Sequence, residues 1–279
     1  MRRAEGRLPG VLGELFWQAW LPESATGIVL VSHGLGEHSG RYSHVAEALV
    51  EDGWAVYALD HAGHGRSEGR RVDGGHANWV PDLDLLRLHA AARHPGLPVF
   101  LVGHSMGGHI ALAYALEHQA DLAGLVLSAP GLSKQAVPAP VVPVLLALGR
   151  LLPTLRPAGI DLADISRDPA VVAAVRADPL CYSGNPTLRL GAAMFGAMDD
   201  LLARSRELTL PVLLQHGEID AITTVEVTRT LARTIASDDL TVEIYPGLWH
   251  EIYNEPERDR PIGDLRTWLG AHRESVRPA

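Results

Sequence analysis

Ser105, Asp220 and His250 are the residues whose types and spacing would turn an alcohol into a nucleophile. Ser105 stands in Gly103-His-Ser-Met-Gly107, a Gly-x-Ser-x-Gly elbow in which a strand turns sharply into a helix and lifts the hydroxyl clear of the sheet. Gly103 and Gly107 suit this turn because a side chain at either place would collide with the neighbouring strand or helix. The run Pro98–Val102 reads as the strand, and Ile110–Ala120 as the helix. The plain alternative is a glycine-rich structural turn.

A serine hydroxyl is a poor nucleophile at neutral pH and needs a base, an acid that orients the base, and donors for the oxyanion. In a fold with this elbow the order is Ser, then Asp or Glu, then His, in loops after later strands. Of the fourteen histidines, His250 follows a strand-like run (Thr241–Tyr245) through Pro246-Gly-Leu-Trp and is the expected general base. His272 falls near the end of a charged helix. The acids between Ser105 and His250 include Asp161, Asp164, Asp178, Asp199, Asp200, Glu218 and Asp220. Asp220 is preferred because Pro211-Val-Leu-Leu-Gln is a strand and His216-Gly-Glu-Ile-Asp leaves it, with Glu218 in reserve. The competing role for Asp220 is a helix cap for the stretch from Thr223 or Thr224.

The oxyanion donors must be backbone N–H groups. Met106 supplies one at a helix N-terminus, where the dipole favours negative charge. The loop His33-Gly34-Leu35-Gly36 supplies the other through Leu35, its glycines letting the backbone approach a substrate closely. His61-x-x-His64, beside Asp60, lies in a glycine-rich segment without a further ligand nearby, so a structural loop and no metal is expected there. Cys181 is expected to be a packing residue and not a nucleophile.

These loops need a scaffold. Leu15–Leu21 reads as part of an N-terminal hairpin. Gly27–Ser32, Ala55–Leu59, Val99–Val102, Ala123–Ser128, Val212–Gln215 and Thr241–Tyr245 read as central strands with little alternation, as strands covered on both faces should. Helical patterns fall at Tyr42–Asp52, Trp79–Arg93, Met106–His118, Val225–Ala236 and Arg258–Arg273. This alternation predicts an α/β protein with a mostly parallel sheet flanked by helices. Residues 131–208 break the rhythm and read as a helical cap inserted after the sixth strand, with 1–130 and 209–279 forming the core. The cap holds the apolar, proline-punctuated run Ala136–Leu152, Asp-Pro turns at 168–169 and 178–179, and a helix over Thr187–Ser205. The run would cover an acyl tunnel and touch a lipid interface, with Leu145 and Leu148 as probes of that contact, or it would simply be the cap's core.

The 279 residues are 47% apolar with a net charge of −9, so a large core is available and nucleic acid is an unsuitable partner. One cysteine rules out an internal disulfide. The basic N-terminus has no apolar segment after it that would make a signal peptide, and no stretch is apolar for long enough to span a bilayer. A cytoplasmic protein, touching membranes through the cap, is the expectation.

Taken together, His33–Tyr42, Asp60–Ser67, Gly103–Gly108, Ser128-Ala-Pro130, His216–Asp220 and His250–Glu255 resemble the monoacylglycerol lipases and lysophospholipase-like enzymes of the α/β-hydrolase superfamily. The resemblance runs from about Val11 to Trp268 and is weakest in the cap. It implies an α/β-hydrolase fold and a carboxylic ester hydrolase needing no cofactor, with Ser105, Asp220 and His250 as triad and Leu35 and Met106 as oxyanion donors. It further implies that Glu37 and Arg41 bind the alcohol part of the substrate, the other reading being an ion pair that shapes the loop. Leu35 departs from the alanine of the animal enzymes, which alters pocket shape and spares the backbone donor. The implied substrate is a monoacylglycerol, split through an acyl-enzyme into fatty acid and glycerol. Alternatives are a carboxylesterase or lysophospholipase, a perhydrolase or cofactor-free haloperoxidase, and a non-catalytic ligand-binding module. Dehalogenase and epoxide-hydrolase chemistry would need aspartate in place of Ser105.

Overall fold

The computed structural model describes residues 1–134, 138–157 and 162–275. Chain order begins with strands β1 (Arg2–Gly10), β2 (Gly13–Leu21) and β3 (Gly27–Ser32), followed by helix α1 (Ser43–Glu51) and β4 (Trp54–Leu59). Helix α2 (His76–Arg93), β5 (Val99–His104), α3 (Met106–His118) and β6 (Gly124–Ser128) come next. The inserted segment carries α4 (Val142–Leu151), α5 (Pro169–Ala177) and α6 (Leu188–Arg204). The chain then closes with β7 (Val212–Gly217), α7 (Glu226–Thr234), β8 (Leu240–Tyr245) and α8 (Asp259–Ser275).

The eight strands form one sheet in the order β1-β2-β4-β3-β5-β6-β7-β8. The first two pairings, β1 with β2 and β2 with β4, are antiparallel, and the rest are parallel. Alternate residues of β3 feed opposite faces. Ile28 and Leu30 pack on one side with α2, α3 and α7, while Val29 and Val31 pack on the other with α1 and α8. That double burial is why β3 to β7 read as unbroken apolar runs. The expected central strand Thr241–Tyr245 is instead the edge strand β8, largely half-buried with Val242 exposed, because it has a neighbour on one side alone. Because β3 and β5–β8 run the same way, their following loops gather along one edge of the sheet, where open α/β sheets bind ligands.

The sequence left β1 undelimited because Arg2–Gly10 carries little apolar alternation. It holds its place by register, with Arg2 opposite Leu21 and Gly10 opposite Gly13, and exposes charged side chains along the sheet edge. Helix α2 starts three residues before the expected Trp79, because Asn78 Oδ1 accepts the Gly75 N–H at 2.9 Å and starts the turn ahead of Pro81. The Asp168-Pro169 pair opens a helix where a turn was expected. Asp168 Oδ1 accepts the Ala170 N–H at 2.8 Å with Pro169 in the first turn of α5, which suits a residue without an N–H.

In the insertion α4 lies close against α6, since a Cβ on Gly149 would meet Ala192 Cβ at 2.4 Å. Leu145 and Leu148 are half-buried, and Leu145 Cδ1 comes to 3.9 Å from where a Cβ on Gly191 of α6 would sit. The side chains left in solvent are instead Val141, Val144, Leu151, Leu152 and Leu155. Part of the expected apolar run, residues 136–137, and Asp161 among the weighed acids lie outside the described residues. Among the described residues no helix is long and apolar enough to cross a membrane.

Candidate active site

Ser105 sits between β5 and α3 with φ 54° and ψ −120°, a backbone state that L side chains rarely adopt. The neighbouring glycines make the turn feasible. A Cβ on Gly103 would fall 2.4 Å from Gly107 O, and one on Gly107 only 2.0 Å from Ser32 O. Hydrogen bonds hold the strained residue on both sides. Its N–H donates to Ser128 O at 3.0 Å, and its carbonyl accepts from His109 N–H at 3.0 Å and Gly131 N–H at 2.8 Å.

His250, in the loop after β8, places Nε2 2.9 Å from Ser105 Oγ and Nδ1 2.7 Å from Asp220 Oδ2. An ionised carboxylate only accepts, so Nδ1 carries the proton and Nε2 is left to accept from the serine hydroxyl. All three side chains are buried. Asp220, after β7, is fixed from several directions. Its Oδ1 accepts from the Ile222 and Thr223 N–H groups at 2.8 and 3.0 Å. The Thr223 hydroxyl lies 3.0 Å from Oδ2, and His216 Nε2 lies 3.2 Å from it. Asp220 thus also closes the local turn through the oxygen that does not face His250, but it caps no helix from Thr223 or Thr224, since Val225 stands at the N-cap of α7. Helix α7 itself starts at Glu226.

Burial pushes the Asp220 carboxyl up, but the facing His250 and the hydrogen bond from His216 outweigh it and hold it well below the ordinary carboxylate range. Burial lowers the basicity of His250, and Asp220 overcomes this, so the imidazole ends above its usual 6.5. The pair thus strengthens the base it orients.

Leu35 lines the same pocket as Ser105, and Met106 follows Ser105 as the first residue of α3. The loop carrying Leu35 is shaped by Glu37, whose Oε1 accepts from Gly34 N–H at 2.5 Å and from the Tyr42 hydroxyl at 2.7 Å. Gly36 adopts φ +73°, and its carbonyl accepts from Tyr182 N–H of the insertion at 2.7 Å. Arg41 Nη1 donates to Glu37 Oε2 at 2.7 Å, and its Nη1 and Nη2 form a two-pronged pair with Glu251, each bond 2.7 Å. Burial pushes the Glu37 carboxyl up, yet Arg41 and the surrounding donors bring it down to about 2.

Sequence reasoning assigned no role to Glu251, His216, Thr223 or His104. His216 was visible in the turn that holds Asp220, four residues away. The Glu251 contact with Arg41 spans 210 positions, and no local pattern announces it. The His104 ring lies 4.8 Å from that of His250, and burial with the neighbouring His250 pushes its pKa down to about 3. The pocket, about 50 Å3, is lined by Glu37, His104, Tyr182, Ser183, Ile222 and Glu251 among others.

Asp60 serves its loop. Its Oδ1 accepts from Ser39 N–H and hydroxyl at 2.8 and 2.6 Å, and Oδ2 from Arg66 N–H at 2.8 Å. His61 Nε2 lies 2.8 Å from Ser32 Oγ, and His64 Nδ1 lies 3.2 Å from Ala62 O. Among the described residues, the group whose ligand atoms crowd together is His38, Asp178 and Cys181, within 4.8 Å of one another. Its chemistry does not suit a metal. His38 Nδ1 accepts from Gly40 N–H, so Nε2 keeps the proton it donates to Asp178 Oδ2 at 2.9 Å, and burial pushes the Cys181 thiol up to about 12.

The profile of the family described as serine aminopeptidase, S33, matches residues 23–257. The monoacylglycerol lipase of Mycolicibacterium smegmatis is 39% identical over 277 residues, covering 97% of this chain and 98% of that protein. The monoglyceride lipase of Homo sapiens is 36% identical over 263 residues, covering 91% and 86%. Among solved structures, Paleococcus ferrophilus monoacylglycerol lipase superposes with a TM-score of 0.82 at 30% identity, over 98% of this chain and 100% of the other.

Proposed function

The chain belongs to the serine aminopeptidase S33 family, with monoacylglycerol lipases among its relatives, and from that premise we propose that it cleaves monoacylglycerols to fatty acid and glycerol. It is a carboxylic ester hydrolase of the α/β-hydrolase fold. The observation that carries the mechanism is the hydrogen-bonded line Ser105–His250–Asp220, 2.9 and 2.7 Å long. His250 Nε2 takes the Ser105 proton as Oγ attacks the ester carbonyl, and the Leu35 and Met106 N–H groups hold the tetrahedral oxyanion. His250 then protonates the departing glycerol oxygen. Water repeats the sequence on the acyl-enzyme, releasing the fatty acid and restoring the serine. Asp220 keeps the imidazole in the productive tautomer and stabilises its charged form. Glu37 and Arg41 shape the oxyanion loop, and Glu37 also faces the alcohol part of the substrate. Residues 131–208 act as a cap over a core made of 1–130 and 209–279.

The test is a fluorophosphonate probe followed by an ester panel. Labelling at Ser105 is expected, with monoacylglycerols turned over faster than diacylglycerols, lysolipids and nitrophenyl esters, and no turnover by Ser105→Ala. An unlabelled native protein would favour a ligand-binding module instead, and a preference for nitrophenyl esters a general carboxylesterase.

The exposed side chains on and after α4 support contact with a neutral lipid interface, since apolar area removed from water favours partition. Val144→Asp with Leu151→Asp is expected to lower partition onto neutral vesicles at least tenfold. Unchanged partition would leave α4 as core packing for the cap. The net charge of −9 opposes both nucleic acid and anionic membranes as partners, and a cytoplasmic location with transient membrane contact is the expected setting.

A further inference from the structure

Two buried carboxylates share one cation at the mouth of the nucleophile. Glu37, from the loop after β3, and Glu251, from the loop after β8, are 5% and 7% exposed and both line the pocket at Ser105. Arg41 bonds to both at 2.7 Å and is not among the residues that line it. The carboxylates therefore face the pocket with the guanidinium behind them, two negative charges against one positive. His104, the other titratable wall group beside His250, is neutral at physiological pH. Asp220 is paired with His250, so this pair is neutral when the imidazole is protonated and negative when it is not, and never adds positive charge to the wall. A hydrocarbon tail gains nothing against carboxylates that would lose water to it. The polar half of the ester therefore faces this wall, where hydroxyl groups can donate to oxygen lone pairs and a phosphate cannot.

We propose that Glu251, with Glu37, makes the headgroup end of the site selective for uncharged esters by leaving it net negative. This rests on the reading of the chain as a monoacylglycerol hydrolase and adds a reason for it to discriminate against single-chain esters that carry a phosphate. Specificity of this kind needs a repulsive element as well as an attractive one. Here the second carboxylate is that element, since Glu37 alone would be balanced by Arg41. The same wall opposes re-entry of the fatty acid carboxylate once it has left.

The experiment compares kcat/KM for 1-oleoyl glycerol and 1-oleoyl lysophosphatidate, which share the acyl chain, in native protein, Glu251→Gln and Ser183→Lys. Ser183 is exposed and lines the same pocket, so its replacement adds a cation at the rim without disturbing the core. The native protein is expected to favour the uncharged ester by about a hundredfold, and each variant to narrow that ratio by about tenfold. Fluorophosphonate labelling of Ser105 reports whether a variant is folded. A folded Glu251→Gln protein with an unchanged ratio overturns the proposal, and if that variant does not fold, an unchanged ratio in Ser183→Lys does so. Equal efficiency of the native protein on both esters also overturns it, while leaving the functional reading standing. A labelled native protein that turns over neither ester sinks the functional reading and this one with it.

Discussion

Asp220→Asn is expected to lower kcat on monoacylglycerol by about 10^4-fold while leaving the protein folded. The direction follows from the bonds that Asp220 makes. Its Oδ1 accepts from two backbone N–H groups, those of Ile222 and Thr223. An asparagine oxygen is therefore held at that position, and its NH2 group is turned towards His250. Facing a donor, Nδ1 becomes an acceptor and the ring proton moves to Nε2. A ring protonated there cannot take the proton of Ser105. Steady-state kinetics and the rate of fluorophosphonate labelling should fall together, with the circular dichroism unchanged. A loss of less than about tenfold would mean that the carboxylate is not what orients His250.

Gly107→Ala carries the second large effect, on stability. The added Cβ would lie 2.0 Å from Ser32 O and 2.6 Å from His33 O. Both are backbone atoms, so no side chain can swing aside. Either the end of β3 or the start of α3 must move. The first displaces the loop that carries Leu35, and the second displaces Met106. The expected cost is on the order of 3–5 kcal/mol, with activity lost even in the fraction that folds. Thermal unfolding checks this. A melting temperature within about 2 °C of the native value would show that the close approach is not tight.

The same two sites show what could be read from the chain and what could not. The elbow was legible because one turn demands small residues at fixed offsets and a strand and helix on either side. Asp220 and His250 were legible by elimination, since each follows an apolar run that must be a strand. The helical insertion between β6 and β7 was visible as a break in rhythm. By contrast, β1 was hidden because an exposed edge strand needs no apolar alternation, and α5 because Asp-Pro begins helices as readily as it makes turns. The Glu251–Arg41 pair joins loops that only the strand order brings together. Charges alone gave Glu251 no preferred partner among the chain's many basic residues.

The position of the insertion has a consequence for how the protein is made. Strand β6 pairs with β7 along Leu125–Ser128, yet every residue of 129–211 lies between them in sequence. On the ribosome, β6 emerges first and must wait with the edge that will meet β7 unpaired, a template for pairing with another chain. Asp220 and His250 follow later still, so a nascent chain carries its serine without a base. On the proposed mechanism hydrolytic power arrives only after the last strand, and protection of the growing sheet is most needed during synthesis of the segment that interrupts it.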